Sequence, residues 1–179
     1  MRIGIAGVGG IGSNVAVNLV RSGLCKFTIA DYDTVEASNL NRQFYFEDQI
    51  GQPKVSMLME NLLRINPDVD IKVFPELLDK VNVVDVFSDC SIVVEGFDGS
   101  EDKKMLLEAF AGDPRPVVSA SGIAGSSVDK LSSRTLGNCH IAGDFTTDCK
   151  DAHLYAHKVI AVAAIMTDKI LKEYGHYDK

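Results

Sequence analysis

The chain has 179 residues, 46% of them hydrophobic, and its 18 basic and 25 acidic side chains give a formal net charge of −7 at pH 7. This size and apolar share predict a single domain, residues 1–179, with one hydrophobic core, and exclude a coiled coil. The acidic balance argues against a nucleic-acid partner, and no run of about 18 apolar residues predicts a membrane span. Because the chain starts with a strand and a glycine turn rather than a cleavable leader, we expect a cytoplasmic protein with no membrane partner.

Apolar runs bounded by turn residues alternate with helical stretches along the chain. The predicted strands, of which the last two are the weakest, are Arg2–Ala6, Phe27–Ala30, Ile71–Phe74, Ile92–Glu95, Val117–Ser119, Lys130–Thr135 and Cys139–Ala142. The predicted helices are Ser13–Ser22, 53–66, Val83–Phe87, Glu101–Ala111 and His153–Tyr174. This alternation is typical of a mostly parallel sheet with helices on both faces, so we expect an α/β fold in one domain.

A glycine-rich turn joins the first strand to the first helix. It places Gly7, Gly9, Gly10 and Gly12 in the G-x-G-x-x-G pattern, which lets a nucleotide approach the backbone at a helix N-terminus. Asp31 closes the second strand, where a carboxylate can accept hydrogen bonds from ribose hydroxyls. We therefore expect a Rossmann-like nucleotide site. The alternative is that the glycines only allow tight packing and Asp31 caps a turn.

The segment Asp33–Gln49 is polar and irregular, and connections beyond about 12–15 residues are uncommon without a function. It carries Arg42 between amide side chains, and Lys54 follows in the first turn of the next helix. A lysine there opposes the helix macrodipole, so a bound anion explains it better than helix stability does. Two cations outside the glycine loop suit attack on an α-phosphate, where negative charge develops. We expect both side chains to be exposed; the alternative is that they are only solvated surface cations.

The fourth strand also leads into a carboxylate. Asp98 follows this strand at the edge of the α/β sheet where ligands gather. Hard cations take carboxylate and phosphate oxygens together, so one aspartate beside a triphosphate is sufficient protein ligation for Mg²⁺. We predict that Asp98 is a Mg²⁺ ligand. The alternative is a helix cap, although Ser100 can fill that role.

Four cysteines stand far apart, without the C-x-x-C pairs that bind zinc. We expect Cys25 and Cys90 to be reduced and partly buried. Cys139 leads into an apolar strand and is expected to be buried and inert. Cys149 is the better candidate for a covalent step because the adjacent Lys150 would favour its thiolate. Attack on an α-phosphate needs no nucleophilic cysteine, however, so we expect neither Cys139 nor Cys149 to be catalytic.

Five motifs occur in a characteristic order. They are the glycine turn followed by Ser13, the D-x-D pair Asp31 and Asp33, Asn39–Gln43, Gly51–Lys54 and Arg64–Pro67. The set resembles the ThiF/MoeB/ubiquitin-activating superfamily, and within it the chain is most similar to short ThiF-type sulfur carrier protein adenylyltransferases of thiamine biosynthesis. The resemblance is strong over roughly residues 1–125 and looser beyond.

The resemblance implies an activity and a set of site residues. The activity is ATP-dependent transfer of AMP to the C-terminal glycine carboxylate of a small ubiquitin-like sulfur carrier protein, with Mg²⁺ and release of pyrophosphate, by a homodimer. The residues implied are Gly7, Gly9, Gly10 and Gly12 around the nucleotide, Asp31 on the ribose, Asp33 as a further nucleotide-binding residue, Asn39, Arg42 and Lys54 on the phosphates, and Asp98 on Mg²⁺. Arg42, Lys54 and Asp98 are then the catalytic candidates.

Two other functions remain open at this stage. An NAD(P)-dependent oxidoreductase would account for the glycine turn and Asp31, but it leaves Arg42, Lys54 and Asp98 unexplained. A non-catalytic relative could hold a nucleotide or a carrier without turnover. The superfamily commonly has an N-terminal helix with an arginine that reaches the partner's site, whereas this sequence enters the first strand at Arg2.

Overall fold

A computed structural model describes residues 1–173 and residue 175. In this part of the chain, one sheet has the strand order β3-β2-β1-β4-β5-β7-β6, and every neighbouring pair is parallel except the antiparallel β6–β7 pair. The strands are β1 Ile3–Ala6, β2 Lys26–Ala30, β3 Asp70–Phe74, β4 Ile92–Glu95, β5 Val117–Ala120, β6 Ser132–Leu136 and β7 Cys139–Gly143. The predicted Rossmann-like α/β fold is confirmed.

The central strands are apolar because both of their faces are covered. Every residue of β1, β4 and β5 is buried, as expected for strands between two helical layers. Every residue of β6 is exposed, and this polar edge strand gave one of the two weak signals in the sequence. Its antiparallel pairing with β7 supplies the backbone hydrogen bonds that hold it in the sheet, since none of its residues is buried.

Helices cover both faces of the sheet. Their bounds are α1 Gly10–Arg21, α2 Lys54–Ile65, α3 Val83–Val86, α4 Ser100–Ala109 and α5 Ala156–Glu173. The first, second and fifth helices pack over one hydrophobic cluster, and the third and fourth over the other. The predicted end of the last helix, Tyr174, lies outside the described residues. None of the helices in the described chain combines the length and apolar character needed to cross a membrane.

The long connection from β2 to α2 is ordered by its own polar side chains. It contains two short 3-10 turns, Ala37–Asn39 and Glu47–Gln49. The buried amides of Gln49 and Asn61 hydrogen-bond to each other in both directions, at 2.8 and 3.0 Å, and thereby tie the connection to α2. The predicted loop is therefore packed against α2.

Close backbone packing fixes the glycine turn. Gly7 has a φ of 80°, and a Cβ on Gly12 would lie 2.0 Å from the Gly7 carbonyl oxygen. No side chain fits at residue 12 without moving the turn. The first turn of α1 therefore lies directly against the end of β1.

This packing predicts that Gly12→Ala destabilises the fold. The added methyl group must displace backbone, and such overpacking costs about 1–3 kcal/mol even though alanine favours a helix. Urea denaturation measures the free energy of unfolding. Gly112→Ala is the matched control, since a Cβ there meets nothing within 4 Å, and it should change stability by less than about 0.5 kcal/mol. Equal stability of the two variants would contradict the packing argument.

Candidate functional site

The glycine turn lies at the carboxyl edge of the sheet against the turn that follows β4. The Gly96 N–H donates to the Ala6 carbonyl at 2.8 Å, and a Cβ on Gly96 would lie 2.6 Å from the Gly7 carbonyl oxygen. Among the described residues, no side chain caps α1, whose N-cap is Gly9. The first-turn N–H groups of α1 therefore form a surface suited to a phosphate.

Asp31 binds this turn directly. Its Oδ2 accepts from the Val8 N–H and its Oδ1 from the Asp33 N–H, both at 2.8 Å. Burial raises the pKa of the Asp31 carboxyl above its ordinary value, and the two backbone hydrogen bonds oppose that rise. Because a carboxylate oxygen can accept more than one hydrogen bond, Asp31 can hold the turn and still accept from a ribose hydroxyl.

Two residues that were not predicted as site residues also contact the glycine turn. The buried Tyr45 hydroxyl donates to the Val8 carbonyl at 2.7 Å, and burial raises the pKa of that phenol well above its ordinary value. The Gln43 side chain lies beside Gly9, and its buried Oε1 has no hydrogen-bond partner in the described part of the chain. An orphaned acceptor beside the glycine turn fits a site completed by a ligand. The sequence feature that could have pointed to Gln43 is its amide side chain next to Arg42.

Lys54 is buried, so the expectation of an exposed side chain was wrong. The residue is only 6% exposed, and its Nζ donates to Asp33 Oδ2 at 2.8 Å. The Lys54 N–H also donates to the Asp33 carbonyl, next to a backbone bridge between Thr34 and Pro53. An internal carboxylate thus offsets the unfavourable position of Lys54 in the first turn of α2. The ammonium keeps further N–H donors beyond the one that Asp33 uses.

Arg42 is half-buried and held by its own loop. Its Nη1 donates to the Ser38 carbonyl at 3.0 Å and to Asn41 Oδ1 at 2.7 Å. The Arg42 carbonyl accepts from the Asn14 amide on α1 at 2.9 Å, which ties the loop to that helix. Asn39 is buried, and its Oδ1 accepts from the Glu36 N–H at 3.0 Å, so its oxygen is committed to the 3-10 turn.

Asp98 is exposed in the turn after β4 and shares its surroundings with the aspartates around Asp31. The exposed Tyr32 responds to these charges. The negative charge of Asp33 is the chief cause that raises the pKa of its phenol above the ordinary value. The other carboxylates that raise it are Asp102, Asp31 and Asp98. The negative charges of residues that follow β2 and β4 therefore act on the same phenol at the carboxyl edge of the sheet.

The cap alternative for Asp98 is not supported. Helix α4 begins at Ser100 with Gly99 as its N-cap, and no described side chain caps it, so Ser100 does not fill that role either. The described residues contain no group of three or more His, Cys, Asp and Glu side chains that could hold a metal ion. An exposed carboxylate fits Mg²⁺ only if phosphate oxygens and water supply the other ligands, which is the usual arrangement at triphosphate sites.

A cleft of about 500 Å³ opens beside Arg42. Its lining includes Asn41, Arg42, Cys149 and the start of α5, and in the described structure all four cysteines are free thiols. The expected activation of Cys149 by Lys150 was wrong, because burial, Asp148 and Asp98 raise the pKa of its thiol and the opposing charge of Arg42 does not outweigh them. Burial likewise raises the pKa of Cys139, which is half-buried.

A buried ion pair anchors the loop that carries Cys149. Lys158 on α5 donates to Asp144 Oδ2 at 2.6 Å and also to the Ala124 carbonyl, and its side chain is 1% exposed. Burial alone would raise the pKa of Asp144, but Lys158 and the backbone N–H groups of Thr146 and Thr147 outweigh it and hold the pKa well below its ordinary value. The pair connects the loops after β5 and β7 to the last helix.

The seven-stranded sheet with its glycine turn defines the Rossmann-like α/β class. Within that class, the chain matches the ThiF family over residues 1–172 and belongs to it. Ubiquitin-like modifier-activating enzyme 5 of Caenorhabditis briggsae is 42% identical over 85 residues, which are 48% of this chain and 20% of that protein. The molybdopterin-synthase adenylyltransferase of Escherichia coli (strain K12) is 32% identical over 123 residues, 68% of this chain and 49% of that protein.

The solved structures show the fold. The E. coli tRNA N6-threonylcarbamoyladenosine dehydratase TcdA in complex with AMP superposes with a TM-score of 0.88 at 20% identity, over 96% of this chain and 85% of that chain. The matched regions thus span a fifth to a half of the curated relatives named above.

The Asp144–Lys158 pair predicts a pH-dependent contribution to stability. Asp144→Asn leaves the Lys158 charge buried without its partner and should lower the free energy of unfolding at pH 7 by about 3–5 kcal/mol. Because the folded-state pKa of Asp144 is depressed, the stabilisation is present above the unfolded value of about 3.9 and is lost as the pH falls towards the folded value.

Urea denaturation at several pH values measures this effect. The difference between wild type and Asp144→Asn should narrow below about pH 4. Asp68→Asn, which changes an exposed carboxylate, is the control and should show little difference at any pH. A difference for Asp144→Asn that stays constant from pH 7 to pH 2 would contradict the assignment.

Proposed function

We propose that this chain is an ATP-dependent nucleotidyltransferase that activates the C-terminal glycine carboxylate of a small ubiquitin-like sulfur carrier protein as its adenylate. The pathway proposed is thiamine or related sulfur-cofactor biosynthesis. The observation that carries the proposal is that two cations outside the glycine turn, Arg42 and Lys54, are held by ordered contacts near the same edge as Asp31. The names of the relatives, a modifier-activating enzyme and an adenylyltransferase, support the same reaction class.

In this mechanism the chain positions the reactants and stabilises developing charge. The first-turn N–H groups of α1 receive phosphate oxygens, and Asp31 accepts from the ribose. A carboxylate oxygen of the carrier forms the new bond to the α-phosphorus while the bond from that phosphorus to the bridging oxygen breaks. Arg42 and Lys54 donate to the phosphate oxygens, whose charge grows as pyrophosphate leaves. Mg²⁺ would neutralise part of that charge, and Asp98 is the residue that would hold it.

A nicotinamide-dependent oxidoreductase is the second candidate, favoured by the glycine turn and Asp31. It assigns no role to the buried Lys54 or to the loop that fixes Arg42, because hydride transfer requires no cations there. We therefore rank it below adenylation. The proposal also includes one domain over residues 1–179 and a cytoplasmic location, as length and composition predict, and a homodimer, as the resemblance implies.

Ligand-induced stabilisation separates the two candidates. A ligand at about 100 times its Kd stabilises the folded state by about 2.7 kcal/mol, so ATP should raise the melting temperature and NAD or NADP should not. Exchange of radiolabelled pyrophosphate into ATP, measured with and without carriers isolated from native cell extract, then tests catalysis. A shift with NAD alone would contradict the proposal, and ATP binding without any carrier-dependent exchange would favour a non-catalytic relative.

The two cations should be essential for exchange and dispensable for folding. Arg42→Ala and Lys54→Met each remove a donor to developing charge, which typically costs about 10²–10³ in rate. Because Asp33 is half exposed, the loss of its lysine should change stability by about 1 kcal/mol or less. Pyrophosphate exchange and urea denaturation give the two readouts.

Exposed cations provide the matched controls for these variants. Arg21→Ala at the end of α1 and Lys104→Met on α4 remove the same groups from the surface and should leave exchange unchanged. Near-native exchange in both Arg42→Ala and Lys54→Met would show that the phosphates bind elsewhere.

Cys149→Ala should retain carrier adenylation. The attacking group is the carrier carboxylate, and the raised pKa of the Cys149 thiol leaves little thiolate at neutral pH. Mass spectrometry of the protein after incubation with ATP and carrier provides the check. A thiol-sensitive adduct on the wild type that is missing from Cys149→Ala would assign a covalent role to this residue.

A further inference from the structure

A second lysine near a helix N-terminus is paired with a buried carboxylate at the end of β4. Glu95 is the last residue of that strand and is completely buried. Its Oε2 forms an ion pair with Lys103 Nζ of α4 and accepts from the Ser119 hydroxyl at 2.6 Å. Its Oε1 accepts from the Phe97 N–H at 2.8 Å. Both oxygens are thus committed to atoms of three different elements.

Stability alone is a poor explanation for this pair. An ion pair with a fully buried carboxylate is often no more stabilising than apolar side chains of similar size, because the carboxylate loses its hydration, whereas the Lys103 side chain keeps 28% of its exposure. Lys103 is also the fourth residue of α4, close to the helix N-terminus, where the helix macrodipole disfavours a cation. The sequence therefore accepts two unfavourable placements at one point.

What the pair determines is the path of the turn that carries Asp98. The Glu95–Phe97 hydrogen bond fixes the backbone immediately before Asp98, and Lys103 fixes the helix immediately after it. On the other side, the turn is pressed against the glycine turn at Gly96. The position of the Asp98 backbone is therefore set from both ends.

We propose that Glu95 is a positioning residue that holds Asp98 at the glycine turn, through its hydrogen bond to the Phe97 N–H, for a divalent cation bound with the nucleotide, and that Lys103 serves to balance the buried charge of Glu95. The inference rests on the proposed function, because Asp98 is the residue assigned there to Mg²⁺. It adds Glu95 to the residues on which the site depends. Groups that orient metal ligands typically alter metal affinity by about 10–100-fold when they are removed.

Two double variants separate positioning from stability. Glu95→Gln with Lys103→Met removes both charges but keeps a side-chain oxygen for the Phe97 N–H. Glu95→Leu with Lys103→Met also removes both charges and has no acceptor for that N–H. Neither leaves an unpaired buried charge, so both can be compared as folded proteins in thermal melts.

The readout is the ratio of the ATP dissociation constant without Mg²⁺ to that with Mg²⁺, measured by calorimetry. Asp98→Asn should lose the Mg²⁺-dependent gain that the wild type shows. The Leu/Met variant should lose about tenfold or more of that ratio, and the Gln/Met variant should stay within about twofold of the wild type. ATP binding without Mg²⁺ should be similar in all of them. Amide hydrogen exchange over residues 96–99 should be faster only in the Leu/Met variant.

The outcomes are distinct. A wild-type ratio in the Leu/Met variant, equal losses in the two double variants, or an unchanged ratio in Asp98→Asn would each overturn the inference while wild-type carrier-dependent exchange still supports adenylation. If the wild type shows neither ATP binding nor exchange, the proposed function fails with it. Should the Leu/Met variant not fold, Glu95→Asp takes its place, because its shorter carboxylate keeps the charge and withdraws from the Phe97 N–H.

Discussion

The candidate site depends on close packing between three backbone segments of the chain. The Gly7 carbonyl lies so close to Gly12 and Gly96 that a Cβ at either position would overlap it. This contact brings the end of β1, the first turn of α1 and the turn after β4 into one rigid unit. The candidate groups on β2 and β4 are fixed relative to each other because both are built onto that unit, Asp31 through the Val8 N–H and Asp98 through Gly96.

The electrostatics of this edge are mixed. Asp31, Asp33, Asp98 and Asp102 all act on Tyr32, in a chain whose net charge is already −7. Such an edge would repel the free triphosphate, and Lys54 is partly neutralised by its own carboxylate partner. A polyphosphate is therefore best accommodated together with a divalent cation, which agrees with the role proposed for Asp98.

The sequence was sufficient for the sheet and its helices, because the alternation of apolar strands and helices depends on burial that each segment carries within itself. It was sufficient to select Asp31 and the glycines as candidates, since their spacing along one strand–turn–helix unit is local. The burial of Lys54 could not be predicted from the sequence. Its partner, Asp33, lies beside it because a backbone bridge between residues 34 and 53 joins the two segments.

The ion pair between Glu95 and Lys103 could not be predicted from the sequence for a related reason. A glutamate at the end of an apolar strand has the same sequence signature whether it points to solvent or into the protein. Only the neighbouring strand, which brings Ser119 beside it, and the returning helix show that it is enclosed. Strand β6 illustrates the opposite case, since its polar sequence carries no burial signal and hairpin pairing alone defines it.

The salt bridge between Lys54 and Asp33 has a consequence for which anions can bind. An anion that takes the place of Asp33 on the Lys54 ammonium competes with a carboxylate that is covalently part of the same chain. Chloride or another singly charged anion gains little from that exchange, because it replaces one negative charge with another of equal size. A phosphate group with two charges and several acceptor oxygens gains more, since it can use the N–H donors that Asp33 leaves open. At Lys54 we therefore expect a phosphate group to be favoured over a small monovalent anion.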